Sequence, residues 1–111
     1  MLRKTSRAVQ AKSQAVVAED YATQLTQDLK DPAEAAAYLE AAIQEGDSEA
    51  LLVAMRQVAV AHGGMAAIAQ QTGLSRESLY RAFSKRGNPT VATLSSVLAA
   101  TGLRLSVQPA S

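Results

Sequence analysis

Residues 67–83 read AIAQQTGLSRESLYRAF: a run of helical period, a glycine, a serine, and a second short run of the same period. Two helices that cross at a wide angle over a tight turn need a small residue on the inner face of the first and a glycine in the turn. Ala69 and Gly73, four residues apart, meet both needs. Leu74 and Leu79 are placed to fill the angle between the helices, and Ile68 and Phe83 to close its ends. Ser75 is the expected N-cap of the second helix, its hydroxyl accepting from a backbone N–H. Ser78 stands where a full capping box would carry Glu, so half of that device is present.

With Leu79 and Phe83 turned inward, Arg76, Glu77, Tyr80, Arg81 and Ser84 point outward with no obvious partner. A helix decorated in this way suits the major groove of duplex DNA, where the N-terminal residues of a recognition helix reach base edges. Arginine pairs with guanine O6 and N7, and glutamate accepts from cytosine N4. Tyr80 offers its hydroxyl to a phosphate and its ring to a thymine methyl. Around them stand Gln70, Gln71, Lys85, Arg86, Asn88 and Thr90, donors of the kind that hold phosphates and set register without reading sequence. Helix N-termini expected at Met65 and Thr90 turn partial positive charge toward the same ligand. A helical hairpin whose exposed charges are merely solvated is the competing reading. The coincidence of small residue, turn glycine, cap, plugs and outward Arg/Tyr/Arg favours DNA.

Outward from this stretch, the flanking boundaries are legible. In residues 31–47, DPAEAAAYLEAAIQEGD, Asp31 is an N-cap, Pro32 occupies the first helical position and Glu34 the capping-box position. Gly46 stands where a left-handed C′ residue ends a helix. Ala36, Leu39, Ala42 and Ile43 mark the expected inner stripe, with Tyr38 flanking it. Asp47 caps a further helix to about His62, in which Leu51, Leu52, Met55, Val58 and Ala59 recur at amphipathic spacing. Gly63 and Gly64 break it. Beyond Phe83 the helix is expected to run to about Lys85, and RGNPT (86–90) is a loop. Thr90 then caps a helix ending at Gly102, with Val91, Leu94, Val97 and Leu98 inward. Leu103–Val107 alternates apolar and polar, the period of a strand. At the other end, Val17, Tyr21, Leu25 and Leu29 recur every four residues and suggest a helix over 15–29, preceded by a basic tail over 1–14.

Composition bounds the possibilities. The chain has 111 residues, 48% hydrophobic and 4% aromatic, so a single modest core must be built from Ala, Leu, Val and Ile. That favours closely spaced helices over a sheet sandwich. The sequence contains no cysteine, which excludes disulfides, zinc–thiolate sites and thiol catalysis. No window reaches the ~18 apolar residues of a membrane span. The start MLRKTSRAVQAKSQ lacks the apolar run of a secretory signal, although its acid-free composition is shared with some organelle presequences. A soluble, cytoplasmic protein is expected.

The net charge of +1 conceals a division. Arg3, Lys4, Arg7 and Lys12 open the chain without an acid. Residues 15–50 then carry nine acids against Lys30 alone. From residue 51 on, Arg56, Arg76, Arg81, Lys85, Arg86 and Arg104 face the single acid Glu77. A basic C-terminal half suits an anion such as nucleic acid, and an acidic middle suits a basic protein.

Residues 73–109, GLSRESLYRAFSKRGNPTVATLSSVLAATGLRLSVQP, resemble the Xre/Cro-type, lambda-repressor-like helix-turn-helix of addiction-module antidote proteins, the HigA-like antitoxins. The preceding DPAEAAAYLEAAIQEGDSEALLVAMRQVAVAHGGMAAIAQQ is similar to the same group, so the resemblance covers about Lys30 to Pro109. It implies a type II toxin–antitoxin pair. Members neutralise a small RelE/HigB-like toxin, an RNase that cleaves messenger RNA on the ribosome, and dimerise on their own operator. Ser75, Arg76, Glu77, Tyr80 and Arg81 match the recognition helix of that family. No motif transfers toxin-contacting residues. The leader over 1–29 is longer and more basic than is usual in the group, and the ending LRLSV implies pairing of Leu103–Val107 across a dimer.

The sequence therefore predicts an all-α fold: a compact bundle of about five helices with a helix-turn-helix, a short C-terminal strand and an N-terminal arm. The arm spans 1–29 and the helix-turn-helix domain 30–111. The expected function is a homodimeric antitoxin that binds its own operator as double-stranded DNA and a small basic toxin. A stand-alone regulator of phage or mobile-element type, and an interaction module that does not bind DNA, are the alternatives. The residues point away from an enzyme and require no cofactor or metal. His62, the lone histidine, is placed to cap a helix end, Glu45, Asp47 and Glu49 lack the spacing of a calcium loop, and the methionines are core fillers.

Overall fold

Capping chemistry places most of the boundaries. The computed structural model describes residues 14–110, with side chains from residue 20 on. Those residues form six helices: α1 (Gln14–Asp28), α2 (Pro32–Gln44), α3 (Ser48–Ala61), α4 (Met65–Thr72), α5 (Arg76–Ala82) and α6 (Val91–Ala100). Asp31 and Asp47 accept from the backbone N–H groups of Ala33 at 2.9 Å and Glu49 at 3.0 Å. Ser75 and Thr90 accept from Ser78 at 3.2 Å and Thr93 at 3.1 Å. Each bond satisfies a donor that the first turn of a helix leaves without an intrahelical partner. His62 caps α3, its Nδ1 donating to the Val58 carbonyl at 3.1 Å.

The core is aliphatic and close. α2 packs along α3, α1 lies against α3, and α4 packs on both α5 and α6. Leu29, Leu39, Leu52, Met55, Val58, Ile68, Leu79, Phe83, Val97 and Leu98 are buried together. Six of the seventeen buried hydrophobic residues described are alanines and none is larger than Phe83, so the helices approach closely. α3 and α4 diverge by 80° across the glycine pair that separates them. Among the described residues no single helix is long and apolar enough to cross a membrane.

Several expectations are corrected. Ala35, rather than Ala36, joins Leu39 and Ala42 as the buried stripe of α2; three consecutive alanines gave periodicity no side chain with which to fix the phase. Ile43 is 55% exposed. It borders an open groove of about 500 Å³ between α2, α3, α6 and the C-terminal segment, which runs beside α2 without filling the space. Val91 is 72% exposed, because it opens α6 one turn before Leu94, Val97 and Leu98 reach the core. Leu103–Val107 is not a strand: no strand occurs among the described residues. The Leu103 N–H bonds back to the Leu98 carbonyl at 2.8 Å, and the described backbone after it makes no further hydrogen bond. Alternation alone cannot make a strand where every neighbour is a helix that has already used its own backbone groups. The helix expected over 15–29 is present as Gln14–Asp28; its Leu25 and, just beyond its end, Leu29 pack on the core. The basic residues Arg3, Lys4, Arg7 and Lys12 lie outside the described residues.

Candidate nucleic-acid interface

The turn between α4 and α5 is built by three adjacent residues. Gly73 ends α4 in the left-handed conformation, φ 76° and ψ 6°, and its N–H bonds to the Ala69 carbonyl at 2.9 Å. A side chain at that φ would be strained, which is why glycine stands there. Thr72 donates its hydroxyl to the Ile68 carbonyl at 2.8 Å and accepts from the Leu74 N–H at 3.2 Å. The chain is thereby tied on both sides of the glycine. Sequence reasoning passed over Thr72, although a threonine in a last helical turn often bonds back to the i−4 carbonyl.

The turn delivers a helix of only seven residues, too short to hold itself in water. Its stability comes from Leu79 and Phe83, which are 0% and 1% exposed. The far end is held by a residue that the sequence reading counted only as charge. Arg56, on α3, donates through its guanidinium to the carbonyl of Phe83, the C-cap of α5. A cation at a helix C-terminus also complements the helix dipole. Nothing local could have revealed this contact, since the two residues are 27 positions apart. The helix stops at Ala82 rather than Lys85; Ser84, Lys85 and Arg86 form the turn that follows.

All ten residues singled out for DNA, Gln70, Ser75, Arg76, Glu77, Tyr80, Arg81, Ser84, Lys85, Asn88 and Thr90, are exposed. They are not equivalent. The Arg76 guanidinium lies over the Tyr80 ring, 5.8 Å from its centroid. Glu77 and Arg81 stand four apart, yet no ion pair joins them among the described residues. Ser75 uses its oxygen as the N-cap and keeps its hydroxyl proton to donate. Ser84 gives its proton to the Arg81 carbonyl at 2.8 Å, and Thr90 gives its own to Thr93 Oγ1 at 3.1 Å. Those two hydroxyls serve the local turn and cap. Lys85 lines a shallow pocket with Asp47, Glu49 and Arg56, so its charge sits beside the acidic start of α3. Among the described residues no group of three or more His, Asp or Glu side chains is placed to hold a metal.

A short, firmly seated helix that presents two arginines, a glutamate and a tyrosine can offer hydrogen bonds in several directions at once, as base edges require. Comparison with known proteins adds a family. The family model described as "Probable addiction module antidote protein" matches residues 19–109. A protein of Haemophilus influenzae (strain ATCC 51907 / DSM 11121 / KW20 / Rd), described as "Uncharacterized protein", is 44% identical over 71 residues, covering 64% of this chain and 72% of that one. No solved structure matches.

Proposed function

This chain belongs to the family of probable addiction module antidote proteins, and on that premise we propose that it is the antitoxin of a toxin–antitoxin pair and represses its own operon. In this reading α4 and α5 form a helix-turn-helix, α5 enters the major groove, and two copies of the chain bind two half-sites about 34–36 Å apart. Arg76, Glu77, Tyr80 and Arg81 meet base edges. Ser75, Gln70 and Asn88, whose side chains keep free donors, and Lys85 reach phosphates. The observation that carries the antitoxin role is the family match across residues 19–109. The observation that supports DNA is the set of exposed charged side chains, Arg76, Glu77 and Arg81, that form no ion pair among the described residues, on a helix whose inner face and both ends are held. The partner toxin is proposed to be a small basic RNase of RelE/HigB type. The exposed acids Glu34, Glu40, Glu45, Asp47 and Glu49 along α2 and the start of α3 suit its positive surface. The chain itself performs no catalysis in this scheme and works in the cytoplasm, where its DNA and its toxin are.

One experiment tests both halves. The tagged chain is recovered from its native cells at moderate salt, and the eluate is assayed for a small basic polypeptide and for retention of the DNA upstream of its own gene. The expected result is a stoichiometric toxin and a DNA complex that weakens steeply with salt, because each neutralised phosphate releases counterions. Arg76→Ala and Arg81→Ala should each lose operator selectivity by roughly 5- to 150-fold while retaining the polypeptide. Recovery of the chain alone, bound to no DNA, would refute the proposal. Loss of the toxin together with DNA in a folded Arg76→Ala variant would contradict separate surfaces.

A further inference from the structure

We propose that Arg76 and Tyr80 act as one composite reader of a 5-methylpyrimidine–guanine step, with the methylated base on the 5′ side of the guanine. The inference rests on the reading of α5 as the helix that enters the major groove. Both residues are exposed, and Tyr80 is half so at 51%. Yet the ring is not simply presented to solvent, because the Arg76 guanidinium occupies one of its faces at 5.8 Å from the centroid. The spacing of four residues puts the two side chains on one face of α5, one turn apart. No carboxylate competes for the guanidinium: Arg76 forms no ion pair among the described residues, even with the adjacent Glu77.

At that distance the guanidinium is within cation–π reach of the ring face, and with no ion pair its donors remain available. An arginine that donates to guanine O6 and N7 lies close to the plane of that base. Its face toward Tyr80 is then covered by the ring. The opposite face is weakly hydrated and favours a flat or apolar neighbour. The next base along the strand is about 3.4 Å away, and among unmodified bases only thymine carries a carbon group into the major groove, its 5-methyl. A methyl group there closes the free face of the guanidinium, so that ring, guanidinium and methyl form three layers. Unmethylated cytosine leaves that face against water. Thymine and 5-methylcytosine present the same methyl, so both satisfy the reader, and methylation of a cytosine–guanine step raises affinity.

The test starts from duplexes selected out of a randomised pool by the full chain at moderate salt. The selected sites should contain a guanine whose enrichment disappears with Arg76→Ala and which follows a thymine. Replacement of that thymine by uracil, which removes only the methyl, should lower affinity about fourfold, the worth of one buried methyl group. Cytosine should behave like uracil and 5-methylcytosine like thymine, which separates the two sources of the methyl. Tyr80→Ala should abolish the thymine-over-uracil ratio and weaken the guanine preference, whereas Tyr80→Phe should keep the ratio. Equal affinity for thymine and uracil duplexes, with guanine still selected, overturns the composite reader and leaves Arg76 as a plain guanine contact. A Tyr80→Phe variant as deficient as Tyr80→Ala also overturns it, assigning the tyrosine to phosphate through its hydroxyl. Failure to select any duplex overturns the underlying DNA reading instead.

Discussion

Gly87 holds the loop between α5 and α6 against the end of α5 more tightly than any side chain would permit. A Cβ at that position would lie 2.0 Å from the Ala82 carbonyl oxygen, 2.5 Å from its carbon and 2.7 Å from the Arg81 oxygen. All three are backbone atoms and cannot swing aside. The Gly87 N–H completes the turn by bonding to the Ser84 carbonyl at 2.9 Å. Gly87→Ala should therefore cost about 1–3 kcal/mol, as overpacking usually does, while Asn88→Ala next to it, an exposed position, should stay within about 0.5 kcal/mol of the parent. Thermal unfolding followed by circular dichroism distinguishes the two. A glycine before Asn-Pro is readable in sequence as a loop. Its proximity to the carbonyls of α5 is not, because it depends on where the loop turns back.

At the scale of the element, α5 illustrates how a segment with little intrinsic helical stability is made to stand. Its start is local: Ser75 caps it, and Gly73 and Thr72 aim it. Its end is tertiary, since the Phe83 carbonyl is held by Arg56 from α3. Arg56→Met keeps most of the aliphatic stem and removes the charged donor, leaving a part-buried carbonyl without its partner. The expected loss is about 1–3 kcal/mol, concentrated in the last turn of α5. Amide hydrogen exchange should accelerate at Phe83 and Ser84 more than at Ile68 on α4. Uniform acceleration would show instead that Arg56 supports the bundle as a whole. The caps of α2, α3 and α6 were predictable from Asp31, Asp47 and Thr90 because an N-cap needs only a short oxygen-bearing side chain and its own next few residues. The phase of α2 was not, because Ala35, Ala36 and Ala37 are chemically identical until another helix covers one of them.

Across the whole molecule, the junction of α1 with the rest of the bundle carries a titration. Tyr38 on α2 holds its proton above the usual tyrosine range, chiefly through burial and secondarily through Tyr21 on α1. In the unfolded chain tyrosine ionises near pH 10, so above that pH the folded state binds more protons and stability falls as pH rises. Below it both states are neutral and the residue contributes no pH dependence. Tyr38→Phe should leave the urea midpoint near neutrality almost unchanged and should flatten its decline above about pH 10; an identical alkaline slope in both proteins would locate the effect elsewhere. The same scale separates what the chain determines locally from what it does not. The sequence alone determined the helix starts, the glycine stops, the plugs Leu74, Leu79 and Phe83, and the exposed Arg76–Arg81 face, since these follow from backbone capping and a period of 3.6 residues. Only the tertiary structure decided that Arg56 reaches Phe83, that Arg76 lies over Tyr80, that Ile43 and Val91 remain exposed, and that Leu103–Val107 runs without a ladder. Each of those depends on which surface a neighbour offers, and a periodic pattern contains no information about a neighbour 27 residues away.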